Sequence, residues 1–284
     1  MFLTKFFGTP KPTPPKLLPP PREAHAWCQY FHQQARIVGD VLRGVDTNVT
    51  PAELQAVGRS VQIFQLGESG QGKHFLACAE RYAQQSGDED YLLALPLFLA
   101  EEHRHARDLG RLLTAWKLPL LQKNWTNGIF RWLRHRAGLK LTISVLLSAE
   151  VIAQVYYAAL REATACPALQ RLCRQILRDE AQHVRFQAER LAILRAGHSR
   201  WWVAVTQWGE RMLFLGTRWV VWRTHHPVFR AAGMNWREYR RRVRRCFARA
   251  QTLANPANYA PMPDRHASIT EQLRWQLAGQ KWLD

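Results

Sequence analysis

Two segments of this chain place a carboxylate and an imidazole three residues apart, and few folds can accommodate both. Glu102-His103-Arg104-His105 and Glu180-Ala181-Gln182-His183 each read Glu-x-x-His. At ~100° per residue, positions i and i+3 share a helix face, so each segment presents its acid and its histidine together. The faces concerned are otherwise apolar. Leu95, Phe98, Glu102, His105, Leu109 and Leu112 follow at steps of 3, 4, 3, 4, 3, and Leu169, Cys173, Ile176, Glu180 and His183 at steps of 4, 3, 4, 3. That periodicity marks the buried seam of a packed helix. Carboxylates are rarely buried without a partner or a metal ion.

Two neighbouring segments add one seam acid each. Leu54, Val57, Val61, Phe64, Glu68, Gln71, Phe75, Cys78 and Tyr82 form one seam, and Leu139, Ile143, Leu146, Glu150, Ala153, Tyr157 and Leu160 the other. Glu68 and Glu102 lie 34 residues apart with Ser86-Gly87-Asp88 near the midpoint; Glu150 and Glu180 lie 30 apart with Thr164 to Pro167 midway. Folding each half as an antiparallel hairpin at those turns brings its two acids to one height. Four acids and two histidines are therefore expected to converge in one helical core.

The rest of the chain divides around that core. Residues 1–22 hold seven prolines and are expected to form a flexible lead. A first amphipathic helix is expected over 23–43, with Trp27, Tyr30, Phe31, Val38, Val41 and Leu42 on its apolar side. Thr50-Pro51-Ala52-Glu53 reads as a capped helix start, and that helix should run to about Gln85, with Gly67, Gly70 and Gly72 marking a close approach or a bend. The next spans about 89–116 and should kink at Pro96. A link from 117 to 138, expected to hold one short helix, has the length of a crossover along a bundle. Helices over 140–163 and 167–196 complete the core domain, 23–198. Residues 199–284 then form a basic helical extension with 15 Lys/Arg against 5 Asp/Glu and eight of the twelve tryptophans. Within it, His225-His226-Pro227 reads as a loop. Its apolar helix from Trp201 to Trp222 is interrupted by Glu210, Arg211 and Arg218, which argues against a membrane span.

Four carboxylates and two imidazoles suit two divalent first-row metals, because carboxylates can bridge two ions and each imidazole can terminate one. A thiolate-free set argues against structural zinc. One Glu from each of two helices plus Glu-x-x-His from each of two others is the di-iron or di-manganese carboxylate pattern of helical bundles. On Glu68, Glu102-x-x-His105, Glu150 and Glu180-x-x-His183, residues 50–196 resemble the ferritin-like superfamily, and Phe64 to Glu68 with the Glu-Glu-His-Arg-His-Ala run resemble its uncharacterised bacterial members. The resemblance implies an all-α, ferritin-like four-helix bundle with one long crossover, flanked by an N-terminal helix and a C-terminal helical extension. It further implies two iron ions, or two manganese, and chemistry with O2 or peroxide in place of bulk iron storage, since storage ferritins generally lack the second Glu-x-x-His.

Glu101 and Asp179 each precede a ligand acid. They either orient the histidine of the opposite helix or stand as solvated helix acids. Tyr157, on the Glu150 seam, is a core aromatic or a redox group. His103 should point to solvent. Neither substrate nor catalytic residue is legible. Three functions are open: a di-metal oxidoreductase supplied by an external electron donor, a protein that oxidises iron or removes peroxide without an organic substrate, and a scaffold binding RNA, DNA or an anionic membrane through its basic extension. The net charge of +18 suits an anionic partner. Five scattered cysteines point to a reducing compartment, hence the cytoplasm or its membrane face.

Overall fold

The computed structural model describes residues 17–260 apart from 71, 88, 125–137 and 197. The described residues are all-helical, with no β-structure among them beyond one isolated bridge. That bridge, between Leu18 and Tyr259, lies in a small unit formed by residues near the two chain ends. The large unit, Pro21–Pro256, carries everything else, so the helices after residue 199 belong to the same compact body as those before it. The short helix expected within 117–138 and the seven-residue apolar start of the chain fall outside the described residues.

Helix α1 (Ala24–Ile37) buries Trp27 and Phe31 and stops six residues earlier than its periodicity suggested. The Asp40 carboxylate diverts the chain: it accepts from the Leu42 amide at 3.0 Å and is held by Arg111 through two bonds of 2.7 and 3.0 Å. Such a side chain–backbone turn competes directly with helical hydrogen bonding. Leu42 is buried even so, as part of a turn.

Helix α2 (Pro51–Glu68) begins with the expected reciprocal cap: the Glu53 amide donates to Thr50 Oγ1, and the Thr50 amide to the Glu53 carboxylate. It does not continue to Gln85. It ends at Glu68, and α3 (Lys73–Ser86) starts after a break whose N-cap, Gly72, has φ of 64°. Three glycines within six residues, each disfavouring helix by ~1 kcal/mol, place the break here. The single seam of the sequence is thereby divided: Val57 and Val61 are buried on α2, Phe75 and Cys78 on α3.

Gly87, at φ of 75°, caps α3, and α4 (Glu89–Ala115) returns alongside it, continuous through Pro96. Helices α5 (Leu139–Glu162) and α6 (Pro167–Arg195), joined by the four residues between them, form the most extensive pairing among the described helices. Helix α4 packs on α1, α2, α3 and α6. α5 is the one described helix long and apolar enough to cross a membrane, and most of it is buried in this bundle.

Helix α7 (Arg200–Ala231) runs through His225-His226-Pro227, which is therefore helix and not loop. Val228 and Phe229, both fully buried just beyond the proline, hold the last turn against the core, and packing overrides the missing amide. Helix α8 (Trp236–Leu253) buries Tyr239, Val243 and Ala250 against α5 and α6. A buried ion pair secures both helices. The Arg195 guanidinium donates to Glu210 and, at 2.8 Å, to the Ala254 carbonyl, while Ser144 and Gln251 donate to Glu210 at 2.7 and 3.1 Å.

The break in α2–α3 is tight where it meets α4. A Cβ on Gly72 would overlap the Leu99 side chain, and its φ is one that L residues avoid. Gly72→Ala should destabilise the fold by about 1–3 kcal/mol. Gly67→Ala, in helical backbone with nothing within 4 Å of the new Cβ, should gain roughly 0.5–1 kcal/mol. Urea midpoints of the two variants check both signs.

Candidate metal centre

The six predicted ligand side chains meet inside the bundle. Glu68 comes from the last residue of α2, Glu102 and His105 from α4, Glu150 from α5, and Glu180 and His183 from α6. They form two overlapping groups. Glu68, Glu102, His105 and Glu180 offer donor atoms all within 4.8 Å of one another, and so do Glu102, Glu150, Glu180 and His183. Glu102 and Glu180 belong to both groups, as bridging carboxylates would. The i, i+3 spacing makes this possible: each shared acid brings its own histidine to one end of the pair.

The surroundings are apolar. Glu180 and His183 are 0 % exposed and His105 is 1 % exposed. Phe98 lies edge-on to the His183 ring at 4.7 Å, with Phe31 of α1 behind it at 6.3 Å. Yet both oxygens of Glu180, Oε1 of Glu102 and Nδ1 of each histidine have no hydrogen-bond partner. His183 Nδ1 does lie 2.8 Å from Glu102 Oε1, but without hydrogen-bond geometry. Leaving one polar group unsatisfied in such a core costs about 1–3 kcal/mol, and more for a charge.

The other nitrogen of each ring is firmly held. His183 Nε2 donates to Glu101 Oε2 at 2.9 Å, and His105 Nε2 to Asp179 Oδ2 at 3.0 Å. The contacts are crosswise: the acid preceding the α4 ligand holds the α6 histidine, and the reverse. This network fixes Nε2 as the donor, so Nδ1 of each ring faces the carboxylates, and in the neutral ring it is the nitrogen that carries the lone pair. Both acids are buried, so they are not solvated helix acids. Asp179 also accepts from Arg104 at 2.8 Å and Gln175 at 3.0 Å, and Arg104 reaches Glu101 at 3.6 Å. Arg104 is absent from the sequence-derived site, although its position three residues after Glu101 was the available signal.

Tyr157 is fully buried, and its hydroxyl donates to Glu68 Oε1 at 2.7 Å. Its phenol is held well above the ordinary value by burial and by the Glu68 charge. His103 is exposed, as expected, but it donates at 3.0 Å to the Gly70 carbonyl and so braces the break beside Glu68.

Without a cation this cluster retains protons. Burial, then the Glu102 charge, pushes Glu68 up to about 8. Burial and the Glu150 charge raise Glu180 well above the carboxylate range. Burial disfavours the charged form of His183, but its hydrogen bond to Glu101 and the nearby Glu102 and Glu150 carboxylates outweigh it, so its pKa rises. Four carboxylates and two neutral imidazoles carry four negative charges, which two divalent cations would balance. Donor type, number, convergence and unsatisfied atoms all fit such a pair.

A cavity of about 550 Å³ opens onto Glu68, Glu102 and Glu150. Its walls are mainly apolar, with Phe64, Phe75, Leu99, Leu146, Ile152 and Val221 among them, and the break between α2 and α3 supplies one side through Ser69, Gly70 and Gly72. Two polar groups stand out on its lining. Thr142 Oγ1 is buried without a partner, and His225 is bonded through Nδ1 to Ser60 Oγ at 2.6 Å. Burial lowers His225 to about 3, so the ring is neutral.

No protein-family model, curated protein or solved structure significantly matches this chain.

The raised pKa values set a pH dependence. Glu68 binds its proton more tightly folded than unfolded, so the stability linked to that proton is present below 4.5 and is lost as pH rises through about 8. His183 acts in the same direction above its ordinary 6.5. The melting temperature of chelator-treated protein should fall across this window. Glu68→Gln, which carries no proton to lose, should flatten the lower part of the slope.

Proposed function

We propose that the chain is a ferritin-like oxidoreductase whose bundle, formed by α2 with α3, α4, α5 and α6, holds two iron or two manganese ions. The observation that carries this reading is the pair of overlapping donor groups sharing Glu102 and Glu180, with donor atoms that have no hydrogen-bond partner in an apolar core. Glu68 and His105 would complete one metal position, Glu150 and His183 the other. A redox-active pair bound there would supply activation of O2 or peroxide, the chemistry that the carboxylate–histidine set supports.

The chain's own groups have definable tasks in that reading. Glu101 and Asp179 fix the Nε2 protons, so each ring stays neutral with Nδ1 toward the metal. Arg104 offsets the charge of these two acids. The Tyr157 hydroxyl holds one oxygen of Glu68, leaving the other for a metal. Phe98 and Phe31 keep water from the His183 side. None of the five cysteines is in a disulfide, and they are scattered, so reducing equivalents would come from an external donor.

The cavity favours an organic substrate over simple iron oxidation or peroxide removal. A chamber of about 550 Å³ is in the range that small-molecule sites occupy. Its apolar walls select a largely hydrophobic molecule, and Thr142 and His225 offer hydrogen bonds to one or two oxygen or nitrogen atoms.

Anaerobic loading with Fe(II) followed by O2 tests the reading. Wild type should bind about two irons per chain and give an optical change on oxidation. Glu102→Ala combined with His183→Ala should lose both. With excess Fe(II), oxidation that stops near two per chain supports the enzyme, whereas continued turnover supports metal handling. Wild type that binds no more metal than the double variant would sink both readings.

A further inference from the structure

Helix α7 carries an apolar stripe on its outer side that no described element covers. Trp201, Val205, Trp208, Met212, Leu215 and Trp219 follow at steps of 4, 3, 4, 3, 4 and are all exposed, the three tryptophans by 74, 63 and 58 %. The stripe spans about five turns, roughly 27 Å. Large exposed apolar patches on folded proteins mark interaction sites. The opposite face of α7 carries Glu210, Phe214, Thr217 and His225 into the core, so the stripe is the far side of a firmly anchored helix. Small residues, Ala204, Gly209 and Gly216, lie exposed between the large ones, which leaves the tryptophans standing proud.

The charges around the stripe identify its partner. Every charged side chain at a solvent-facing position of α7 is an arginine (Arg200, Arg211, Arg223 and Arg230); its one acid, Glu210, is buried in the Arg195 pair. Helix α8, packed beside α7, adds Arg240, Arg244 and Arg245 at exposed positions. A second copy of this surface would set arginine against arginine, and heptad interfaces favour Leu, Ile and Val where this stripe has Trp. Nucleic acid would use the arginines but leave Val205, Met212 and Leu215 in water. A bilayer uses both. Indole rings settle at the headgroup level, aliphatic side chains enter the acyl boundary, and arginines meet anionic phosphates.

We propose that the outer face of α7 docks in the plane of an anionic phospholipid membrane. The helix lies on the bilayer and does not cross it, because its inner face is committed to the bundle. This proposal does not rest on the metal reading.

Flotation of the full-length protein tests it, with vesicles of phosphatidylcholine alone and of equal parts phosphatidylcholine and phosphatidylglycerol. Wild type should float with the anionic vesicles, shift its tryptophan emission to the blue, and bind several-fold less at high salt. Trp201→Ser, Trp208→Ser and Trp219→Ser combined should lower partitioning by roughly tenfold or more. Because all three sites are exposed, its melting temperature should match wild type. Brominated lipids should quench wild-type emission and leave the triple variant largely unquenched. Several outcomes overturn the proposal. They are wild type staying at the bottom of the gradient, the triple variant floating as wild type does, which leaves only charge, and wild type floating equally well on neutral vesicles. A wild-type dimer in light scattering that the triple variant splits, without lipid binding, would assign the stripe to a second copy.

Discussion

Four carboxylates and two imidazoles share one apolar interior, and their electrostatics govern the molecule. Ionised and uncompensated, such a set would be far less favourable than any core burial nearby could offset. The chain meets this with three devices. Protons stay on Glu68 and Glu180, Glu101 and Asp179 hold the outer nitrogens of the histidines, and Arg104 spans both of those acids. No hydrogen bond reaches the inward Nδ1 atoms or the two oxygens of Glu180. The remaining imbalance is what two divalent cations would remove.

Much of this was legible because helices convert spacing into direction. Glu102 with His105, and Glu180 with His183, point inward on faces that are otherwise Leu, Phe, Ile and Cys, and the turns at Gly87 and before Pro167 set the register that brings them level. Position, one residue before Glu102 and Glu180, offered the crosswise role of Glu101 and Asp179 as one of two readings, and their burial and hydrogen bonds select it. Other features depend on tertiary choices that periodicity does not encode. Gly67, Gly70 and Gly72 signalled a close approach or a bend in the α2 seam, whereas the helix breaks there, with Gly72 close against Leu99. His225-His226-Pro227 read as a loop because proline disfavours helix, whereas buried Val228 and Phe229 carry the helix past it. Asp40 ended α1 by pairing with Arg111, a residue 71 positions away and invisible to a local reading.

The cavity belongs to the second kind of feature. Its lining comes from α2, α3, α4, α5 and α7, and its volume exists because α2 and α3 part beside Glu68. Sequence patterns report which residues face inward but not where inward faces fail to meet. The exposed stripe on α7 is the converse case. It has the spacing of a buried seam, but the buried face of that helix is the opposite one, fixed by Glu210, Phe214 and His225.

Glu68 differs from its five companions in mechanical terms. The others sit mid-helix, where backbone hydrogen bonds on both sides fix the Cα; Glu68 is the final helical residue before a glycine-rich gap. It also stands at the negative end of the α2 dipole, where an anion gains nothing from the helix. Its carboxylate is positioned instead by the Tyr157 hydroxyl, and the adjoining gap by the His103 contact with Gly70. The two overlapping donor groups are therefore unequal in stiffness. The one built from Glu150 and His183 is clamped by three continuous helices, and the one built from Glu68 and His105 has a compliant wall, on the side where the cavity begins.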